Sequence, residues 1–120
     1  MSQRIGAWGE HIACRFLADR GFVVRDRNWR CASGEIDLVA QDGEEIIFVE
    51  VRTRHSADFG APEETVTPRK RQALIAAAQH YLAAHNLHDK PWRIDFVAVE
   101  LDARNAVRRI EHIPCAIQAS

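Results

Sequence analysis

Residues 34 to 54 read GEIDLVAQDGEEIIFVEVRTR, and this stretch decides the fold. Two β-prone segments flank Asp42-Gly43, a dipeptide that favours a two-residue hairpin turn. With Asp42 and Gly43 as the loop, Gln41 faces Glu44, Asp37 faces Phe48, Glu35 faces Glu50 and Ser33 faces Arg52. Side chains alternate along a strand, so Glu35, Asp37, Val39, Ile46, Phe48, Glu50 and Arg52 share one face. Three carboxylates thus stand among side chains suited to a core.

Asp37 and Glu50 are diagonal neighbours in this register, with Cβ atoms ~6–8 Å apart. Both carboxylates can reach one hard cation, whose bonds to oxygen are ~2 Å long. Glu35 opposite Glu50 is an unfavourable like-charge pair, and a bound divalent cation would turn that repulsion into ligation. The competing reading is a solvated acidic face paired with Arg52, Arg54 and Arg69. The apolar run IIFVEV favours burial, because a lone buried carboxylate is costly unless paired or metal-bound.

Outward from the hairpin, the pattern gives an α/β chain. Ile5, Trp8, Ile12, Ala13 and Phe16 recur at helical spacing and predict a helix over 4–20. Gly21 suits the left-handed position after its end. FVVRDRNW predicts a strand over 22–29, and CASG is a break. The stretch HSADFGAPEETVT reads as a polar loop. Thr67-Pro68 fits a helix N-cap followed by proline at the first helical position. That helix runs to about residue 85, with Leu74, Ala77, Ala78, Tyr81 and Leu82 as its apolar stripe. WRIDFVAVEL reads as a central strand. VRRIEHIPCAI reads as a last strand that Pro114 confines to an edge or breaks. The expected order is αβββαβ with an extra strand, one mixed sheet flanked by helices. The three tryptophans, Trp8, Trp29 and Trp92, read as core residues ahead of base-stacking platforms, and Trp29, which precedes a polar loop, fits either role.

The chain has 120 residues, 47% hydrophobic and 28% charged, which predicts one globular domain over 1–120. Its apolar runs fall well short of the roughly 18 residues of a membrane helix, so no membrane partner is expected. Three cysteines without a C-x-x-C motif fit a reducing cytoplasm rather than a disulfide framework. The formal net charge is −1, so any recognition of a polyanion must be local. His80, His85 and His88 lack the spacing of a helical metal pair.

An acid in the first helix, then GEIDL and, after a turn, FVEVRTR resemble the PD-(D/E)XK nuclease superfamily. More closely, the chain resembles the YraN-like bacterial proteins, which are grouped with Holliday junction resolvases. The resemblance covers about residues 6–101. It implies a restriction-endonuclease-like αβββαβ core. It makes Asp37 the motif aspartate and Glu50 the acid of the second half-motif, with Arg52 at the lysine position. Glu10 fits the first-helix acid of resolvase-like members, and Glu35 a family position of unassigned role. On a helical wheel Glu10 lies at the border of the apolar stripe. The other reading of Glu10 is an acid favouring the helix dipole. The implied activity is Mg²⁺- or Mn²⁺-dependent hydrolysis of phosphodiester bonds in branched or otherwise structured DNA. The ion would be held by Asp37 and Glu50, with Glu10 and Glu35 as further ligands, and Asp37, Glu50, Arg52 and Glu10 would form the catalytic set. Arginine at position 52 can stabilise charge but cannot take a proton, so a lysine such as Lys70 would have to come from another element.

TPRKRQ places Arg69, Lys70 and Arg71 in the first turn of the second helix. Cations are mildly unfavourable there, and with the free N–H groups they make a phosphate cradle to which Arg52 and Arg54 add. The bland alternative is a solvated basic face offset by Glu63 and Glu64. Nucleic acid is the expected partner, DNA ahead of RNA, and a homodimer is left open. A non-catalytic nucleic-acid-binding module that keeps the fold is the alternative to an enzyme, and a structural adaptor is the more distant one.

Overall fold

The computed structural model describes residues 3–55 and 66–117. Its elements follow the order α1 (Gln3–Asp19), β1 (Val23–Cys31), β2 (Gly34–Asp42), β3 (Glu45–Arg54), α2 (Pro68–Ala84), β4 (Trp92–Leu101) and β5 (Val107–Ile117). This is the expected αβββαβ order with one added strand. The polar loop expected between β3 and α2 lies, from 56 to 65, outside the described residues. Among the described residues no helix is long and apolar enough to cross a membrane.

The five strands form one sheet in the order β1-β2-β3-β4-β5. Neighbours pair antiparallel except β3 and β4, which run parallel with α2 as the connection between them. Strand β4 is central, as its apolar sequence predicts. Strand β5 is an edge and runs through Pro114 instead of ending there. Its pairing slips between Ile94 and Phe96, where Cys115 takes a left-handed φ of 53°.

The helices cover opposite faces. Leu74, Ala77, Ala78, Tyr81 and Leu82 of α2, the predicted stripe, pack on Val39, Ile46, Phe48, Ile94 and Phe96. Ile12, Ala13 and Leu17 of α1 pack on Leu38, Ala40, Ile47, Val49, Val97 and Val99. Consecutive residues of β3 thus feed alternate cores, which is why its apolar run is continuous. The cap on α2 forms as read: Thr67 Oγ1 accepts from the Lys70 N–H at 3.1 Å, and Pro68 opens the helix.

Two expectations need correction. Trp8 is not a core residue: it stands 42% exposed. The hairpin loop is Gly43-Glu44, closed by the pair Asp42↔Glu45. Gly43 takes φ 60° at the first loop position, which shifts every facing pair by two residues. Face assignments survive an even shift, but Asp37 is no longer the partner of Phe48, which pairs with Val39.

Candidate functional site

The β2–β3 ladder ends at Leu38↔Val49. Beyond it the Val51 N–H is accepted by the Asp37 carboxylate, Oδ2, at 2.8 Å. A side chain thus takes the place of a backbone carbonyl where the strands part. Strand β1 is irregular at the same level. Its pairs with β2 are Arg27↔Leu38 and Trp29↔Ile36, and between them Asn28 adopts φ 53°. Simple alternation would put Ile36 and Leu38 in the same core. Ile36 packs with α2 and Leu38 with α1, so Asp37 sits at a change of face.

Glu50 is 5% exposed and lies on the α2 side of β3. Its carboxyl hydrogen-bonds that of Asp37, and two cations approach it. Lys70 Nζ is 3.6 Å and Arg52 Nη2 3.5 Å from Glu50 Oε2. Burial, then the Asp37 charge and that hydrogen bond, raise the Glu50 pKa from 4.5 to about 7, against the lowering pull of Lys70 and Arg52. Two neighbouring carboxyls, with an ammonium and a guanidinium alongside, make a compact polar centre in an otherwise apolar sheet.

Glu10 comes from α1 on the other side. Its pKa is also raised, by partial burial first and then by the charge of Asp37, while a hydrogen bond from Asn28 opposes the rise. Gly9 explains how α1 comes so near. A Cβ there would stand 1.8 Å from Thr53 Oγ1, so glycine lets the helix backbone rest on β3 beside the acids.

Asp37, Glu50, Glu10, Arg52 and Lys70 therefore gather at one end of the sheet. Glu35 turns outward to an exposed ion pair with Arg30, Nε to Oε2 3.0 Å, and reaches the cluster only through its effect on Glu10. Arg69 and Arg71 are exposed on the first turn of α2, and Arg54 is half-buried at the end of β3. Among the described residues no group of three His, Cys, Asp or Glu side chains is already arranged as a metal cage. The donor set itself suits a hard cation. Asp37 and Glu50 offer neighbouring carboxylate oxygens, the kind of ligand Mg²⁺ or Mn²⁺ takes.

The sequence reading passed over two residues. Asn28 holds Glu10 from a left-handed position on β1, and an Asn before a Trp in a strand is the faint signal for it. Asp95 of β4 is fully buried and accepts from Arg93 Nε at 3.0 Å, the Cys115 N–H at 2.9 Å and His112 Nε2 at 2.7 Å. A single aspartate inside an apolar central strand was its signal. Asp95 ties β4 to the irregular part of β5.

Fold and site together define a small mixed α/β protein with a carboxylate–lysine centre where two central strands diverge. Residues 9–99 match the model of the family described as "Uncharacterised protein family UPF0102". The chain belongs to that family, the YraN-like proteins. It is 51% identical to a UPF0102 protein of Roseiflexus castenholzii over 96% of its own length and 94% of that protein's. It is 50% identical to one of Beutenbergia cavernae, covering 91% of this chain and 92% of the relative. A third, from Moorella thermoacetica, is 48% identical over 92% of each chain.

Proposed function

We propose that the protein is a metal-dependent nuclease of the PD-(D/E)XK type acting on structured or branched DNA. The observation that carries this is the Asp37–Glu50 carboxyl pair with Lys70 Nζ 3.6 Å from Glu50. Asp37 and Glu50 would hold Mg²⁺ or Mn²⁺, with Glu10 as the third acid. When bound, the ion would polarise a phosphodiester oxygen and lower the pKa of a water molecule. Lys70 and Arg52 lie where they can stabilise the charge that grows on phosphate during in-line attack. Lys70 also answers the departure at position 52. A lysine can accept and return a proton once desolvated, whereas an arginine cannot. Arg69 and Arg71, exposed one residue either side of Lys70, extend the positive surface along the first turn of α2.

The test is cleavage of labelled linear, flapped and four-way DNA with Mg²⁺ and with Mn²⁺. Wild type should cut at least one of them. Glu50→Gln should cut none and bind DNA at least as tightly. Lys70→Ala should lose activity, and Arg52→Lys should keep it. Wild type that binds DNA or RNA yet cuts nothing with either ion would defeat the nuclease reading. Arg52 in the motif position is the observation that favours the second reading, a binding module without catalysis, and it would then stand.

A further inference from the structure

On the flank of α1 opposite Glu10 lies an exposed aromatic surface that the acid cluster does not use. The Trp8 indole is 42% exposed but fixed in place: Nε1 donates to the Asn105 carbonyl at 3.0 Å. The ring stacks on His11, with centroids 5.8 Å apart and planes 21° from parallel. Beside the pair is a depression of about 330 Å³ between α1 and β5. Phe16 and aliphatic side chains form its apolar part, and Arg15, Asp19 and Arg20 stand around it. The Arg20 guanidinium is spent on the Phe16 ring, 3.6 Å from its centroid. Arg15 makes no ion pair among the described residues and is free to meet an anion.

The position of this surface follows from one helical turn. Gly9 faces Thr53 across the tight contact with β3. Successive residues of a helix are 100° apart, so Trp8 and Glu10 leave the axis on opposite flanks of Gly9. Glu10 turns toward Asp37, and Trp8 toward the β4–β5 connection. The aromatic pair and the acids are thus rigidly linked, on the order of one helix diameter, ~10 Å, apart.

We propose that the Trp8–His11 face stacks an unpaired base of the nucleic acid whose backbone meets the acid cluster, with Arg15 taking the phosphate. This rests on the nucleic-acid reading above and adds single-stranded character to the substrate. Stacking on an indole tolerates any base, because every base has a π-face, and arginine beside it supplies the charge. Two arginines against one aspartate give the surface a positive balance, which suits a phosphate better than an acidic protein partner.

Fluorescence anisotropy with a labelled oligothymidylate and a blunt duplex of equal length tests it. Trp8→Ala should bind the single strand about tenfold more weakly, within the range for one base–aromatic stack, and the duplex within twofold of wild type. Trp8→Phe should keep most of the affinity, which guards against simple misfolding, and thermal melts check both variants. Arg15→Ala should weaken both ligands and reduce the salt slope by about one. Equal losses on single strand and duplex, or no loss on either, would overturn the stacking role. So would a wild-type dimer in sedimentation that Trp8→Ala dissociates, since a second copy would then cover the face. Wild type that binds neither ligand and cuts nothing would remove the parent reading as well. Metal-dependent cleavage that Glu50→Gln abolishes and Trp8→Ala leaves unchanged would remove only this inference.

Discussion

Replacing Glu50 by glutamine should stabilise the protein at pH 8 and leave it nearly unchanged at pH 4. The Glu50 pKa rises from 4.5 to about 7 on folding, chiefly through burial and the neighbouring Asp37 charge. The folded state therefore binds more protons than the unfolded state between those values, and stability falls as pH climbs through the window. At 1.36 kcal/mol per pH decade, the whole effect is about 3 kcal/mol. Glutamine mimics the protonated form and titrates nowhere. Urea denaturation at both pH values measures the gap between wild type and variant: near zero at pH 4, about 3 kcal/mol in favour of the variant at pH 8. Mn²⁺ at a hundred times its Kd should return ~2.7 kcal/mol to the wild type at pH 8 and nothing to the variant. A gap that does not change with pH, or a variant weaker than wild type at pH 8, would refute the electrostatic account of this carboxyl pair.

Asp37→Asn should abolish Mn²⁺ binding by calorimetry while the fold persists, because an amide oxygen can still accept from the Val51 N–H; unchanged binding would remove Asp37 from the ligand set. Gly9→Ala should destabilise the domain, since forcing atoms to 1.8 Å of Thr53 Oγ1 costs ~1–3 kcal/mol by displacement and outweighs the ~1 kcal/mol gained in helix propensity. Thr53→Ala should recover only part of that loss, because the Thr53 Cβ would itself lie 2.9 Å away, and denaturant midpoints of the three variants decide it. The double variant Arg69→Ala, Arg71→Ala should bind DNA more weakly with a salt slope smaller by about two, and an unchanged slope would place the phosphate contacts elsewhere.

Much of the fold could be read from local periodicity. The stripe Leu74, Ala77, Ala78, Tyr81, Leu82 repeats at helical spacing, and β3 is apolar on both faces because both faces are covered. The placing of Glu50 and Arg52 on one face of β3 followed from parity, which a two-residue register error does not disturb. What escaped depends on non-local backbone geometry. A left-handed Asn28 and a ladder that ends at Leu38 move Asp37 out of simple alternation, and only the asparagine itself hints at the first. Lys70 is distant in sequence from Glu50 and meets it only because the first turn of α2 returns to the end of β3. Trp8 fits the apolar period of α1 yet faces outward, because Gly9, Ile12 and Ala13 already fill the contact with the sheet.

Both outer strands carry breaks in their rows of donors. On β1 the pairing slips between Val24 and Asp26, Asn28 turns left-handed, and Arg25, Arg27 and Arg30 are exposed. On β5, Pro114 has no N–H, and the N–H of Cys115 is spent on Asp95. A stray extended chain would find no uninterrupted edge to extend, and like charges would repel a second copy of β1. The open sheet therefore offers no regular edge for fibrous growth on either side, a guard that does not depend on the net charge, which is close to zero.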